Sequence, residues 1–146
     1  MIIVQQADRA LHHKALVAMA KTSTYISSFG SPMFSGDAAY DKGWVRMAVN
    51  AETDEILGFT CVRHKTRSPE TMLYFIIVDP DKEGRGIGQR LMADLEEQTP
   101  HRRIALKVMK DNERAIEFYR KLGYVVESED EYKGEGLLMA KELPEC

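Results

Sequence analysis

Cysteine is scarce in this chain. Two occur in 146 residues, Cys61 and Cys146, too few for a disulfide framework and too far apart for a metal-ligand spacing. A reducing, cytoplasmic setting without a metal is therefore the expectation. Cys61 lies in an apolar strand pattern and reads as a buried thiol; Cys146 closes the chain and reads as exposed. A basic surplus is also missing. The formal net charge is −3, which leaves nothing to neutralise a run of phosphates, so no nucleic-acid partner is expected. Long hydrophobic runs are absent as well. No apolar stretch approaches the length that crosses a bilayer, and Met1-Ile2-Ile3-Val4-Gln5-Gln6 lacks the basic region and apolar core of a signal peptide. No membrane partner is expected. Internal repeats and linkers are missing too, so residues 1–146 read as a single domain with a core of its own.

What remains is an alternation of strands and helices. Ile2 to Gln6 reads as a strand. Asp8 caps a helix that runs to about Lys21, with Leu11, Ala15, Leu16 and Met19 on its apolar face and His12 and His13 at the surface. Thr22 to Lys42 mixes Ser, Gly, Pro and aromatic residues; a short helix is placed around Ala38 to Lys42 or before Phe29. Trp44 to Asn50 and Ile56 to His64 form a hairpin. Thr71 to Val78 is almost wholly apolar, which predicts burial on both faces. A turn and a glycine-rich stretch follow, then a helix with Ile87, Leu91, Met92 and Leu95 on its stripe, ended by Pro100. Arg103 to Met109 is a further strand. Asp111 or Asn112 caps a helix to Leu122, with Gly123 at its C-terminal cap. Tyr124 to Ser128 and Gly136 to Lys141 are the last strands, flanking an acidic turn from Glu127 to Glu131. The pattern is that of a mixed α/β sheet flanked by helices.

Glu83-Gly84-Arg85-Gly86-Ile87-Gly88-Gln89 joins a strand to a helix start. Glycines bring backbone close to an anion, and the free N–H groups of a helix N-terminus point at it, so the stretch is built to hold phosphate. It is not the nucleoside triphosphatase loop, because Gly88 is followed by Gln89-Arg90 and not by Lys-Ser/Thr. Nor is it the dinucleotide fingerprint: Gly84 and Gly86 fit, but the sixth place holds Gln89.

Val78-x-Pro80 followed by Gly84-Arg85-Gly86-Ile87-Gly88 resembles the acyl-coenzyme A loop of the GNAT superfamily of N-acetyltransferases. A second signature follows at the family's distance. Asn112-Glu113-Arg114-Ala115-Ile116-Glu117-Phe118-Tyr119 is similar to its Asn-x-x-Ala-x-x-x-Tyr helix, here ending in Gly123 and Tyr124. The resemblance implies a GNAT-like fold, with splayed parallel strands in a mixed central sheet, and an acetyl-coenzyme A dependent N-acetyltransferase. It implies that backbone near Ile76, Ile77 and Val78 carries the pantetheine arm. By the same resemblance N–H groups from Gly84, Arg85, Gly86, Ile87, Gly88 and Gln89 take the pyrophosphate, Asn112 touches the cofactor, and Tyr119 is the general acid at the departing sulfur. Phe118 and Tyr124 read as core. One place departs from the family pattern: its loop begins with Gln or Arg, and here that place holds Glu83.

The base is not assigned. Tyr74, Phe75 and Ile76 stand where many members carry a strand glutamate, and Lys107 stands at another familiar place. His64, Asp111 and Glu131 are weak candidates beside a chain of waters. The resemblance puts the acceptor, a primary amine, against Thr22 to Lys42 and the acidic Glu127 to Gly136; small molecules and protein amines are both open, as is a homodimer. A non-catalytic acyl-coenzyme A sensing module is the alternative that Glu83 and the missing carboxylate motivate. A toxin-like acetyltransferase acting on charged RNA is a third reading, which the acidic balance opposes.

Overall fold

The structure is a computed structural model and describes residues 1–22, 37–130 and 134–144. Its elements run β1 (Ile2–Gln6), α1 (Arg9–Ala20), α2 (Asp37–Asp41), β2 (Val45–Asn50), β3 (Ile56–His64), β4 (Glu70–Val78), a 3-10 turn (Pro80–Lys82), α3 (Ile87–Gln98), β5 (Arg103–Met109), α4 (Glu113–Lys121), β6 (Val125–Asp130) and β7 (Gly136–Glu142). The seven strands form a mixed sheet in the order β1-β2-β3-β4-β5-β7-β6. The chain divides into two compact units, Met1–Arg63 with Tyr74–Gln98, and His64–Leu73 with Thr99–Cys146.

In the first unit β1, β2 and β3 pair antiparallel, from Ile2 opposite Asn50 to Val45 opposite Cys61. One face of this sheet is covered by α1 and α2, where Leu16, Ala20 and Tyr40 pack with Val45, Met47, Phe59, Phe75 and Ile77. The other face is covered by α3, where Ile87 and Leu91 pack with Ala48 and Leu57. The register slips between Ala48 and Val49. That slip leaves Leu57 as the extra residue of a bulge, which accounts for its joining the α3 side. Asp8 caps α1 as expected, accepting from the Leu11 N–H at 3.0 Å. The expected apolar face of α1 needs correction: Leu11 is 78% exposed and the buried residues are Leu16 and Ala20. His13, read as a surface residue, is half-buried, with Nδ1 2.8 Å from the Tyr40 hydroxyl.

The second unit is built on the parallel pairing of β4 with β5, from Glu70 opposite Arg103 to Leu73 opposite Leu106. Strand β7 pairs antiparallel with β5, and β6 with β7. Burial along β4 alternates, with Thr71, Leu73, Phe75 and Ile77 buried and the residues between them half-buried. The expected burial on both faces is complete on one face and partial on the other. The acidic turn is also displaced. Strand β6 continues to Asp130, and its register slips between Val126 and Ser128, at Glu127. Glu127 receives a two-pronged contact from Arg103, Nη1 to Oε2 at 2.8 Å and Nη2 to Oε1 at 2.6 Å. Such a fork holds both planes in register, and it takes up the carboxylate that an acidic turn would have offered to an amine. Glu131 and Cys146 lie outside the described residues.

Candidate active site

The glycine stretch belongs to the first unit and has the geometry its composition predicts. Asp79 anchors its start: the backbone N–H donates to the Leu57 carbonyl at 2.9 Å, and the carboxylate accepts from the Asp81 N–H at 3.0 Å. Gly84 and Gly86 then adopt φ of +83° and +74°, a region that side-chain-bearing residues enter only with strain. The first helical bond of α3 runs from the Arg90 N–H to the Gly86 carbonyl at 3.1 Å. The N–H groups of Ile87, Gly88 and Gln89 come before it, at the positive end of the helix dipole. N–H groups so placed suit the oxygens of an anion such as a pyrophosphate.

The strand before the loop is prepared in a different way. From Tyr74 to Val78 its side chains are spent on packing. Phe75 and Ile77 join the α1–α2 side, and Ile76 and Val78 pack against the α3 side. Backbone is what this segment has to offer a ligand. Gly58 on β3 is fitted to it: a Cβ there would lie 2.6 Å from the Ile77 carbonyl oxygen. Ile76, Ile77, Val78 and Gly84 through Gln89 are thus all held within one unit.

Beside the loop, Lys82 forms an ion pair with Glu55 at 3.4 Å. Glu55 reaches Lys82 because β3 lies beside β4 in the sheet, which spacing along the chain does not reveal. Arg90 is directed elsewhere, donating to the Ile2 carbonyl at 2.6 Å.

Asn112 and Tyr119 belong to the second unit. Asn112 is the N-cap of α4, its Oδ1 accepting from the Ala115 N–H at 3.3 Å. Gly123, at φ +99°, follows the helix as the sequence predicts. Tyr119 is buried, with ring edges against Phe118 at 5.3 Å and Tyr124 at 5.9 Å between centroids. Burial pushes its phenol well above the ordinary tyrosine range. The group therefore stays protonated, as a proton donor must. Tyr124 is buried as predicted, whereas Phe118 is half-buried.

His64 Nδ1 lies 2.7 Å from Thr71 Oγ1, which is itself 2.6 Å from Thr99 Oγ1. Burial, with His101 nearby, lowers the His64 pKa. Asp111 is exposed and Lys107 half-buried on β5. Cys61 is buried as expected, and burial pushes its thiol up to about 12, which makes it a poor nucleophile. Among the described residues, His, Cys, Asp and Glu do not assemble in a group of three or more that could hold a metal ion. No described helix is long and apolar enough to cross a membrane.

Comparison with known proteins agrees with this fold and these motifs. The acetyltransferase (GNAT) family model matches residues 16–124. Over 143 residues the chain is 44% identical to the 5-NmdU N-acetyltransferase of Pseudomonas phage PaMx11, covering 97% of this chain and 99% of that enzyme. Ard1 from Thermoplasma volcanium has the same fold, with a TM-score of 0.76 at 19% identity over 99% of both chains. The PaiA N-acetyltransferase from Thermoplasma acidophilum, solved with coenzyme A, gives 0.76 at 17% identity over 97% of this chain and 99% of its own. The chain belongs to the GNAT acetyltransferase family, as its two motifs predict. It is an acetyl-coenzyme A dependent N-acetyltransferase.

Proposed function

We propose that the chain transfers the acetyl group of acetyl-coenzyme A to the amine of a modified nucleotide base of the 5-NmdU kind. The observation that carries the acceptor is the match to the phage enzyme, 44% identical and running the length of both chains. The name of that enzyme gives 5-NmdU, a modified nucleotide base, as its acceptor. The net charge of −3 favours recognition through the base and its amine over recognition through a run of phosphates.

In this reading the loop N–H groups from Gly84 to Gln89 hold the pyrophosphate, Asn112 adds a cofactor contact, and backbone at Ile76 to Val78 aligns the pantetheine arm. A backbone N–H on that strand polarises the thioester carbonyl. The neutral amine nitrogen bonds to the acetyl carbon, the carbon–sulfur bond breaks, and the thiolate takes a proton from the Tyr119 phenol. The attacking nitrogen loses its extra proton to water, and Tyr119 is reprotonated from solvent. Burial keeps the Tyr119 phenol protonated, which this role requires. Water is the first proton acceptor in this reading because Tyr74, Phe75 and Ile76 put no carboxylate on the strand before the loop.

The test is thiol release from acetyl-coenzyme A across an acceptor panel: 5-NmdU nucleoside, DNA carrying 5-NmdU, a polyamine, an aminoglycoside and a lysine peptide. The expected result is the highest kcat/KM on 5-NmdU in one of its two forms. A higher value on any other amine would overturn the acceptor assignment.

A further inference from the structure

We infer that Lys82 supplies the loop's side-chain cation to the acetyl-coenzyme A pyrophosphate, and that Glu55 competes with the pyrophosphate for it. The inference rests on the acetyl-coenzyme A reading above and assigns a role to two residues outside the loop's backbone donors. It starts from charge. Between Asp79 and Arg90 the side chains carry three negative charges, Asp79, Asp81 and Glu83, and three positive ones, Lys82, Arg85 and Arg90. The loop itself is therefore neutral where an anion has to arrive, and the place that begins it holds a carboxylate.

Of the three cations, Arg90 donates to the Ile2 carbonyl at 2.6 Å and lies a turn into α3. Arg85 is exposed between the two glycines of positive φ. Lys82 stands directly before the loop and is partly buried. It ends the 3-10 turn two residues before Gly84, its side chain is 22% exposed, and its Nζ lies 3.4 Å from Glu55 Oε1. Glu55 is held firmly at the end of the β2–β3 hairpin. Its N–H donates to Thr53 Oγ1 at 3.3 Å, and its carbonyl accepts from the Asn50 N–H at 2.9 Å. Its side chain is 50% exposed, so the pair is screened by water and costs little to break. A diphosphate is a stronger partner than one solvated carboxylate, because it offers more acceptors and more charge. Lys82 therefore passes from Glu55 to the phosphates on binding and returns on release. Glu55 keeps the cation ordered beside the loop and lowers the affinity it would otherwise give.

Titration calorimetry with coenzyme A tests this. Glu55→Gln is expected to tighten binding by about two- to five-fold. Lys82→Met is expected to weaken it by about ten-fold. In the Lys82→Met background the Glu55→Gln change is expected to have no effect, since nothing is left to release. Both single effects are expected to persist with dephospho-coenzyme A, which keeps the pyrophosphate and lacks the 3′-phosphate. Unchanged or weaker binding by Glu55→Gln, an undiminished Glu55→Gln effect without Lys82, or effects that vanish with dephospho-coenzyme A would each overturn the inference. Absence of coenzyme A binding by the wild-type protein is a separate outcome, which removes the donor site on which the inference rests.

Discussion

Tyr119 is the residue on which the proposed chemistry turns. Its burial keeps the phenol protonated, so removing the hydroxyl removes a proton donor and little else. Tyr119→Phe is expected to lower kcat by about a hundred-fold and to leave the dissociation constant for coenzyme A unchanged, as read by steady-state kinetics beside calorimetry. Because the phenol lies above its ordinary value of about 10, no alkaline loss of kcat below that pH belongs to it. The inner-face position of Tyr119 was legible in the sequence, since Ala115, Ile116 and Tyr119 share one side of a helical period. Glu127 was not legible. It sits in an acidic run that reads as a turn, and its partner Arg103 is 24 residues away on another strand. A pairing of that kind depends on the register of β5, β7 and β6, which no local pattern encodes. His13 failed for a related reason: its contact with Tyr40 spans 27 residues.

At the scale of elements, β4 is the clearest case. Its apolar run predicted a buried strand, and a buried strand is present. The alternation of full and partial burial depends on which helices cover each face, and so lay beyond the sequence. The stripe of α3 was read correctly because Ile87, Leu91, Met92 and Leu95 repeat at one period. The stripe of α1 was misread because Leu11 and Ala15 extend an apolar pattern that the packing does not use. Two substitutions probe the two units separately. Gly58→Ala brings a methyl group to 2.6 Å from the Ile77 carbonyl; since backbone has to move, it is expected to cost about 1–3 kcal/mol in denaturant unfolding and to raise KM for acetyl-coenzyme A. Asn112→Ala removes the α4 cap and is expected to cost about 1 kcal/mol in the same measurement.

Two groups of the second unit, His64 and Glu70, tie stability to pH. Burial, with His101 nearby, holds His64 below the usual imidazole value. The unfolded chain takes up this proton at a pH of about 6.5, and the native chain resists it. Stability from neutral His64 is thus complete above that pH and lost as pH falls through the lower native value. Burial raises the Glu70 pKa, but hydrogen bonds from Lys65 and Arg103 outweigh it and hold the carboxyl below its usual value. Its contribution is present above the ordinary carboxyl value and is lost as pH falls from there through the lower native value. Thermal melts at about pH 7.5 and about pH 5.5 are expected to show a smaller acid loss for His64→Gln than for the wild type. An equal loss would remove His64 from the pH dependence.

The most direct measurement of the donor site is titration calorimetry of coenzyme A against the wild-type protein and Gly86→Val. Gly86 stands at φ +74°, where a β-branched residue is strained, so the variant turns the loop N–H groups away while the rest of the fold is kept. Saturable one-to-one binding by the wild type, lost in Gly86→Val with an unchanged circular dichroism spectrum, is the predicted result. Equal binding by both proteins, or no binding by the wild type, would contradict the assignment of this loop to the coenzyme A pyrophosphate.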